Sequence, residues 1–308
     1  MWTLLKIIWI LFIPGMFLGQ EVQRGAAIWP GKTKTLVYKT ISGQDLKLDV
    51  LYPDSIQETS APVHVFMHGG GWRGGWRQSF DQPEQIKVFE FLAEKGFIGV
   101  TIDYRLLQQG ITLQHIVRDC KDAVRFLYRE YEHLKIDPER MAVWGSSAGG
   151  HLALMAGLTE DDDFPGAADL ADAPAAVRCI VSWYGVTDFV SPETSGSHIR
   201  GHDERFGADI DDNLHIRKLV SPINYLAVNS APVLCIHGME DDIVPFAQSM
   251  ALLQKARRVG ANVSLISVLN TGHGWSRENE ALIPGSDDLA KITADYIHYY
   301  TTSSRNHY

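Results

Sequence analysis

Cysteine is scarce in this sequence. The 308 residues hold only Cys120, Cys179 and Cys235, too few for a disulfide framework. Cys179 and Cys235 lie in apolar, strand-like runs and Cys120 on an amphipathic helical pattern, the settings of buried free thiols. Nothing beside Cys120 would lower its pKa toward that of a nucleophile. Positive charge is short as well. A net charge of -9 and a pI near 5.7 exclude the basic face that nucleic acid requires. Nor does any apolar run reach the roughly 20 residues of a membrane span. The longest, IIWILFIPGMFL, is broken by Pro14-Gly15 and preceded by Lys6, the form of a signal-peptide core. Residues 1–19 are therefore expected to be a cleaved leader and the mature chain to be secreted or periplasmic, with no stable membrane span. Bulky Phe17 leaves the cut after Gly19 in competition with a later one near Gly25 and Ala27, and no cysteine follows to carry a lipid.

What is present is a single large α/β domain over residues 20–308, 45% hydrophobic and 21% charged, ordinary globular values. Short apolar runs alternate with helical patterns, which predicts a mostly parallel sheet of about eight strands covered on both faces. TLVYKT and LKLDVLYP, separated by Ser42-Gly43-Gln44, read as an edge hairpin. Helices are expected over Gln85 to Lys95, Thr112 to Leu134, Ala148 to Gly157, Pro245 to Gly260 and Ser286 to Tyr300, the last capped by Ser286. The polar stretch from about 190 to 219 has little strict period and reads as a cap or lid. Its His198 and His202 lack the glutamate of a zinc-protease helix, so no metal and no cofactor is expected.

The chemistry centres on MAVWGSSAGGHLA, Met141 to Ala153, a buried strand, a tight turn and a small-residue helix. In Gly145-Ser146-Ser147-Ala148-Gly149 only Ser147 has glycine two positions to either side; Ser146 would need one where Trp144 stands. Such a turn lifts the serine hydroxyl to a helix N-terminus, where developing negative charge is favoured. Upstream, His68-Gly69-Gly70-Gly71-Trp72 follows a strand, and its glycines let backbone N–H groups approach a ligand. Beside a serine nucleophile this reads as half of an oxyanion hole. A phosphate loop would require Gly-Lys-Ser/Thr, which is missing; a merely mobile loop is the other reading.

A serine nucleophile needs a histidine and an acid, in chain order serine, acid, histidine, on loops after later strands. HGMEDDIVP offers Glu240, Asp241 and Asp242, and Asp188 also follows a strand; Asp241 is favoured. For the base, His273 between Gly272 and Gly274 competes with His298 and His307. Trp72, Trp76 and Trp275 are expected near the mouth, where aromatic faces suit sugar rings.

HGGGW, DYR, IDPERMAVWGSSAGGHLA, SPINY, APVLCIHGMEDDIVP and GHGW, in this order from about Leu36 to Tyr300, resemble α/β-hydrolase esterases of the hormone-sensitive-lipase-like group. More closely they resemble secreted bifunctional feruloyl and acetylxylan esterases. The resemblance implies an α/β-hydrolase fold with a small lid and places H-G-x-x-D-x-x-V-P on His237, Gly238, Asp241, Val244 and Pro245. It makes Ser147 the nucleophile, Asp241 the acid and His273 the base, with Gly70, Gly71 and Ala148 as oxyanion donors; of the aromatic residues expected near the mouth, Trp72 and Trp275 are the expected substrate contacts. The implied substrate is a small-molecule or polysaccharide ester. A general carboxylesterase or lipase, an arylformamidase-like amidase, a dipeptidyl-peptidase-type hydrolase and a catalytically idle binding module are the alternatives.

Overall fold

The computed structural model of the chain describes residues 29, 31–54, 60–80, 82–191, 213–275 and 281–303. The expected leader, most of the expected lid including His198 and His202, and His307 lie outside the described residues.

Eight strands form one sheet in the order β1-β2-β4-β3-β5-β6-β7-β8. β1 (Lys32–Ile41) and β2 (Gln44–Tyr52) are the expected edge hairpin. Its two-residue turn, Ser42-Gly43, has positive φ at both positions, 51° and 78°, the backbone twist that two-residue hairpins favour. β2 also runs antiparallel to β4 (Ile98–Ile102). From there β3 (Ala61–Met67), β5 (Ile136–Ser146), β6 (Cys179–Trp183), β7 (Val233–Gly238) and β8 (Val263–Val268) continue the sheet in parallel.

The chain moves from β3 outward to β4 and then back across β3 to β5. Right-handed crossovers consequently place the two connecting helices on opposite faces. α1 (Pro83–Glu94) contributes Val88, Phe89 and Leu92 to one core, with Phe66, Trp144, Trp183 and Ile236 from the strands. α2 (Leu113–Arg129) contributes Ile116, Val117, Val124 and Leu127 to the other, with Val63, Val65, Val143 and Cys235. Alternate residues of one strand thus serve different cores, the period-2 geometry of a sheet buried on both faces. A short turn, α3 (Tyr131–Leu134), follows α2. The expected single helix from Thr112 to Leu134 is therefore two, broken at Glu130.

α4 (Ala148–Leu158) joins the α2 side and is buried almost all round, as its residues, all apolar or glycine except His151, allow. α5 (Asn213–Leu219) and a 3-10 turn over Pro222–Tyr225 lead into β7. α6 (Ala247–Val259) lies on the same face, against β7 and β8, and adds Leu252 and Ala256 to that core. α7 (Ser286–Thr302) closes the α1 side. Its cap is Gly285, with Ser286 already the first helical residue. No helix of the described residues is long and apolar enough to cross a membrane.

Candidate active site

The reversal of chain direction between β3 and β5 opens a crevice at the C-terminal ends of these strands, the place where open α/β sheets bind ligands. Ser147 stands there, between β5 and α4, at φ 54° and ψ -120°. The turn is as tight as the glycine spacing predicts. A Cβ on Gly145 would meet the backbone of Gly149 at 2.5 Å, and one on Gly149 would collide with the carbonyl oxygen of Met67. Ser147 N–H donates to the carbonyl of Trp183 at 2.8 Å, pinning the elbow to β6. Ser146 is committed elsewhere: its buried hydroxyl accepts from Gln85 Nε2 at 3.1 Å.

His273 reaches Ser147 from the loop after β8, its Nε2 2.9 Å from Ser147 Oγ. Its Nδ1 lies 2.8 Å from Asp241 Oδ2. Asp241 is buried, whereas Asp242 is exposed, and Asp188 Oδ1 accepts the backbone N–H groups of Val190 and Ser191 at 2.7 and 3.3 Å. Of the expected bases, His298 sits on α7 against Phe97. The structure thus brings Ser147, His273 and Asp241 together in one hydrogen-bonded line.

Burial opposes ionisation of Asp241, but hydrogen bonds from His237, His273 and the Val244 N–H outweigh it and hold the carboxyl well below the usual carboxylate range. Oδ1 accepts from Ile243 N–H at 3.0 Å and from Val244 N–H at 2.8 Å. The acid is therefore an anion, oriented by its own loop, and able to stabilise a charged His273.

The triglycine loop follows β3, where Met67 pairs with Gly145, so it runs beside the elbow. It is folded into a turn. The carbonyl of Gly70 accepts from the N–H groups of Arg73 and Gly74, both at 3.0 Å, and Gly70 and Gly71 take φ 111° and 60°, values that favour glycine. A Cβ on Gly69 would lie 3.6 Å from that of Ser147. Gly70 and Gly71 are exposed at the lip. Ala148 opens α4, so its N–H belongs to the first turn that a helix leaves without an internal acceptor.

Trp72 and Trp275 are walls of this site and do not present ring faces at the mouth. Trp72 is 6% exposed, donates its indole N–H to His151 Nδ1 at 3.2 Å and packs against Phe189. Trp275 is 7% exposed and lies edge-on to Trp183 and Tyr184. Both have φ 60°, a backbone state that turns the side chain away from the course an extended loop would give it. Trp76 is half-buried under the Arg77 guanidinium.

Several neighbours were not foreseen from the sequence. His151 accepts from Trp72 at Nδ1, so its Nε2 carries the proton and donates to Val220 O at 2.8 Å, tying α4 to the segment after α5. Tyr184, at φ 41°, sets its ring edge-to-face 4.8 Å from His273 and donates its hydroxyl to Gln82 Oε1 at 3.3 Å. Gln248 fixes the loop after β6 through the N–H groups of Thr187 and Asp188. The available signals were His237 four residues before Asp241 and an aromatic residue at the end of β6. Among the described residues no group of His, Cys, Asp and Glu is arranged to hold a metal ion.

Strand order, a serine at a strand-to-helix elbow and bonded partners in the order serine, acid, histidine together define an α/β-hydrolase fold. Residues 48–256 match the BD-FAE family model, and the chain belongs to that hormone-sensitive-lipase-like family. It is 30% identical over 261 residues to the esterase LipQ of Mycobacterium tuberculosis, covering 83% of this chain and 59% of LipQ. It is also 30% identical over 233 residues to the esterase LipC of that organism, covering 74% and 56%. The chain thus spans less than two thirds of the length of these relatives. Among solved structures it resembles a truncated carbohydrate esterase from gut microbiota, with a TM-score of 0.72 and 22% identity over 89% of this chain and 97% of that one. A thermophilic esterase of Thermogutta terrifontis gives a TM-score of 0.71 and 22% identity, covering 91% and 96%. At such identity these likenesses are of fold.

Proposed function

We propose that this chain is a serine-dependent carboxylic ester hydrolase. The observation that carries the proposal is the unbroken line from Ser147 Oγ through both ring nitrogens of His273 to a buried, ionised Asp241. As Ser147 Oγ bonds to the ester carbonyl carbon, its proton passes to His273 Nε2, and Asp241 stabilises the imidazolium. The carbonyl oxygen, now an oxyanion, is met by the N–H of Ala148 and by those of Gly70 and Gly71, each such donor contributing about 3 kcal/mol to the barrier reduction. The C–O bond breaks, His273 returns the proton to the departing alcohol, and a water molecule repeats the sequence to free the acid.

The acyl group we infer is acetyl or feruloyl, borne on plant polysaccharide. The expected leader supports an extracellular site of action, with residues 1–19 removed on export. A solved neighbour described as a carbohydrate esterase is consistent with that choice. The burial of Trp72 and Trp275 favours a second reading, esters of small alcohols, because neither indole supplies a platform for a sugar ring.

The test is labelling with a fluorophosphonate probe, together with initial rates on p-nitrophenyl acetate, methyl ferulate and acetylated xylan. Labelling is expected in the wild type and lost in Ser147→Ala; Asp241→Asn should lower kcat about 10^4-fold. Turnover of acetate alone would remove the polysaccharide assignment. An unlabelled but folded wild type would overturn the serine mechanism and leave the binding-module reading.

A further inference from the structure

His237 is the last residue but one of β7 and is fully buried. Its Nε2 lies 2.8 Å from the carbonyl oxygen of Val244 and 3.3 Å from Asp241 Oδ2. A carbonyl and a carboxylate can only accept, so Nε2 carries a proton shared between them. On the far side of the ring, Nδ1 lies 2.7 Å from Ser249 Oγ on α6. The Ser249 hydroxyl also meets the Cys235 thiol, which burial pushes up to about 12 despite that contact. The thiol therefore keeps its hydrogen, and the Ser249 hydroxyl is left to donate to Nδ1. Phe246 closes the remaining side edge-on at 5.8 Å. The neutral Nε2–H tautomer satisfies every one of these contacts.

Asp241 is consequently gripped on four sides. Oδ1 takes two backbone N–H groups, and Oδ2 takes one imidazole from the loop after β8 and a second from β7. The two backbone contacts come from Asp241's own turn and move with it. The His237 contact comes from β7, a strand paired on both sides by β6 and β8, and does not. We propose that His237 is a positioning residue: its Nε2–H fixes Asp241 relative to the sheet, so that Oδ2 stays in line with His273 Nδ1 while that ring gains and loses its proton. The proposal rests on the Ser147–His273–Asp241 reading above and adds a fourth member that reaches no substrate atom.

His237→Leu removes the donor; His237→Gln restores an N–H on a side chain of comparable reach. With p-nitrophenyl acetate, His237→Leu is expected to lower kcat about 100-fold, the scale of an ångström-sized misplacement at a reacting centre, with KM within about twofold. His237→Gln is expected to recover most of that loss. Introduced into Asp241→Asn, His237→Leu should cost nothing further, since coupled residues fail to add. The low-field proton NMR signal of His273 Nδ1–H gives a readout independent of turnover: shifted or lost in His237→Leu, retained in His237→Gln. If His237→Leu does not fold, as judged by circular dichroism, Ser249→Ala carries the test by releasing Nδ1 and freeing the tautomer, with a several-fold kcat loss expected at unchanged KM. Wild-type kcat and an unmoved proton signal in the variant that folds would overturn the proposal. So would an equal loss of kcat in the Asp241→Asn background. A wild type that hydrolyses none of these esters would overturn the proposed function, while the proton signal would still decide whether His237 holds Asp241.

Discussion

Gly75 fixes the shape of the loop beside Ser147. Its φ is 93°, and a Cβ there would run into the Nδ1 of His68 and approach the carbonyl of Gly69 at 2.8 Å. His68 cannot retreat, because its ring stacks on Tyr104 at 4.1 Å and its carbonyl accepts the Tyr104 hydroxyl at 2.7 Å. Gly75→Ala is therefore expected to cost about 2–3 kcal/mol of stability, from positive φ and the clash together. Ester hydrolysis should fall with it, because the displaced residues carry the triglycine N–H groups. Urea denaturation followed by rates on p-nitrophenyl acetate would check both. The glycines and Ser147 were legible in the sequence because one local turn dictates them. Asp241 and His273 were legible as loop residues after named strands. Tyr184 and His151 were not, since each acts through a contact made only when distant segments close; His237 was legible as the first residue of a motif, but its grip on Asp241 was not. The inward turn of Trp72 and Trp275 depends on positive φ, which tryptophan does not announce.

Among the elements, the strands were the most legible. β3, β6, β7 and the Met141 to Trp144 half of β5 are near-continuous apolar runs, the mark of a parallel strand covered on both faces. The break between α2 and α3 was hidden because Leu127, Tyr131 and Leu134 keep a helical spacing across Glu130. The inward charges of α2 were hidden too. Asp119, Lys121, Asp122 and Arg125 are all buried, with Asp119 and Asp122 bonded to Lys39, Arg105 and Arg125 at 2.6 to 3.0 Å; sequence pattern alone gives charged residues to solvent. α3 ends on Lys135 in the left-handed conformation, φ 56° and ψ 34°, where helices usually place glycine. Its side chain is exposed. Lys135→Gly should relieve the Cβ strain and, after the entropy that glycine costs in the unfolded chain, raise stability by about 0.5–1 kcal/mol. Gly260→Ala, at the equivalent C-terminal position of α6 with φ 77°, should lower it by about 1 kcal/mol. A matched pair of urea midpoints measures both; a shift of the same sign in the two variants would contradict the capping argument.

At the scale of the whole molecule, two imidazoles buried along and just past β3, those of His64 and His68, shape how the fold responds to acid. His64 lies in the α1-side core, where its Nδ1 accepts the Trp144 indole N–H at 3.0 Å. Burial pushes its pKa down from 6.5 to about 3. Burial also pushes His68 down to about 4, although its bond to the Gly69 carbonyl pulls the other way. In the unfolded chain both rings protonate near 6.5, and in the folded chain they stay neutral until pH 3 to 4. Between those limits the unfolded state binds more protons, so the stability contributed is complete above about pH 6.5 and is lost progressively as pH falls to the folded values. Each histidine then adds about 1.4 kcal/mol per pH unit to the slope, and the pair about twice that near pH 5. Asp241, held below the usual carboxylate range, adds loss only below about pH 4, so it does not blur the window. His64→Gln keeps an acceptor for Trp144 and removes the titration. Unfolding free energies measured in urea between pH 4.5 and 6 should show the His64→Gln slope reduced by about 1.4 kcal/mol per pH unit relative to wild type. An unchanged slope would mean that His64 takes up its proton without unfolding, and hence that the α1-side core admits a charge that its apolar packing against Phe89 and Trp144 should exclude.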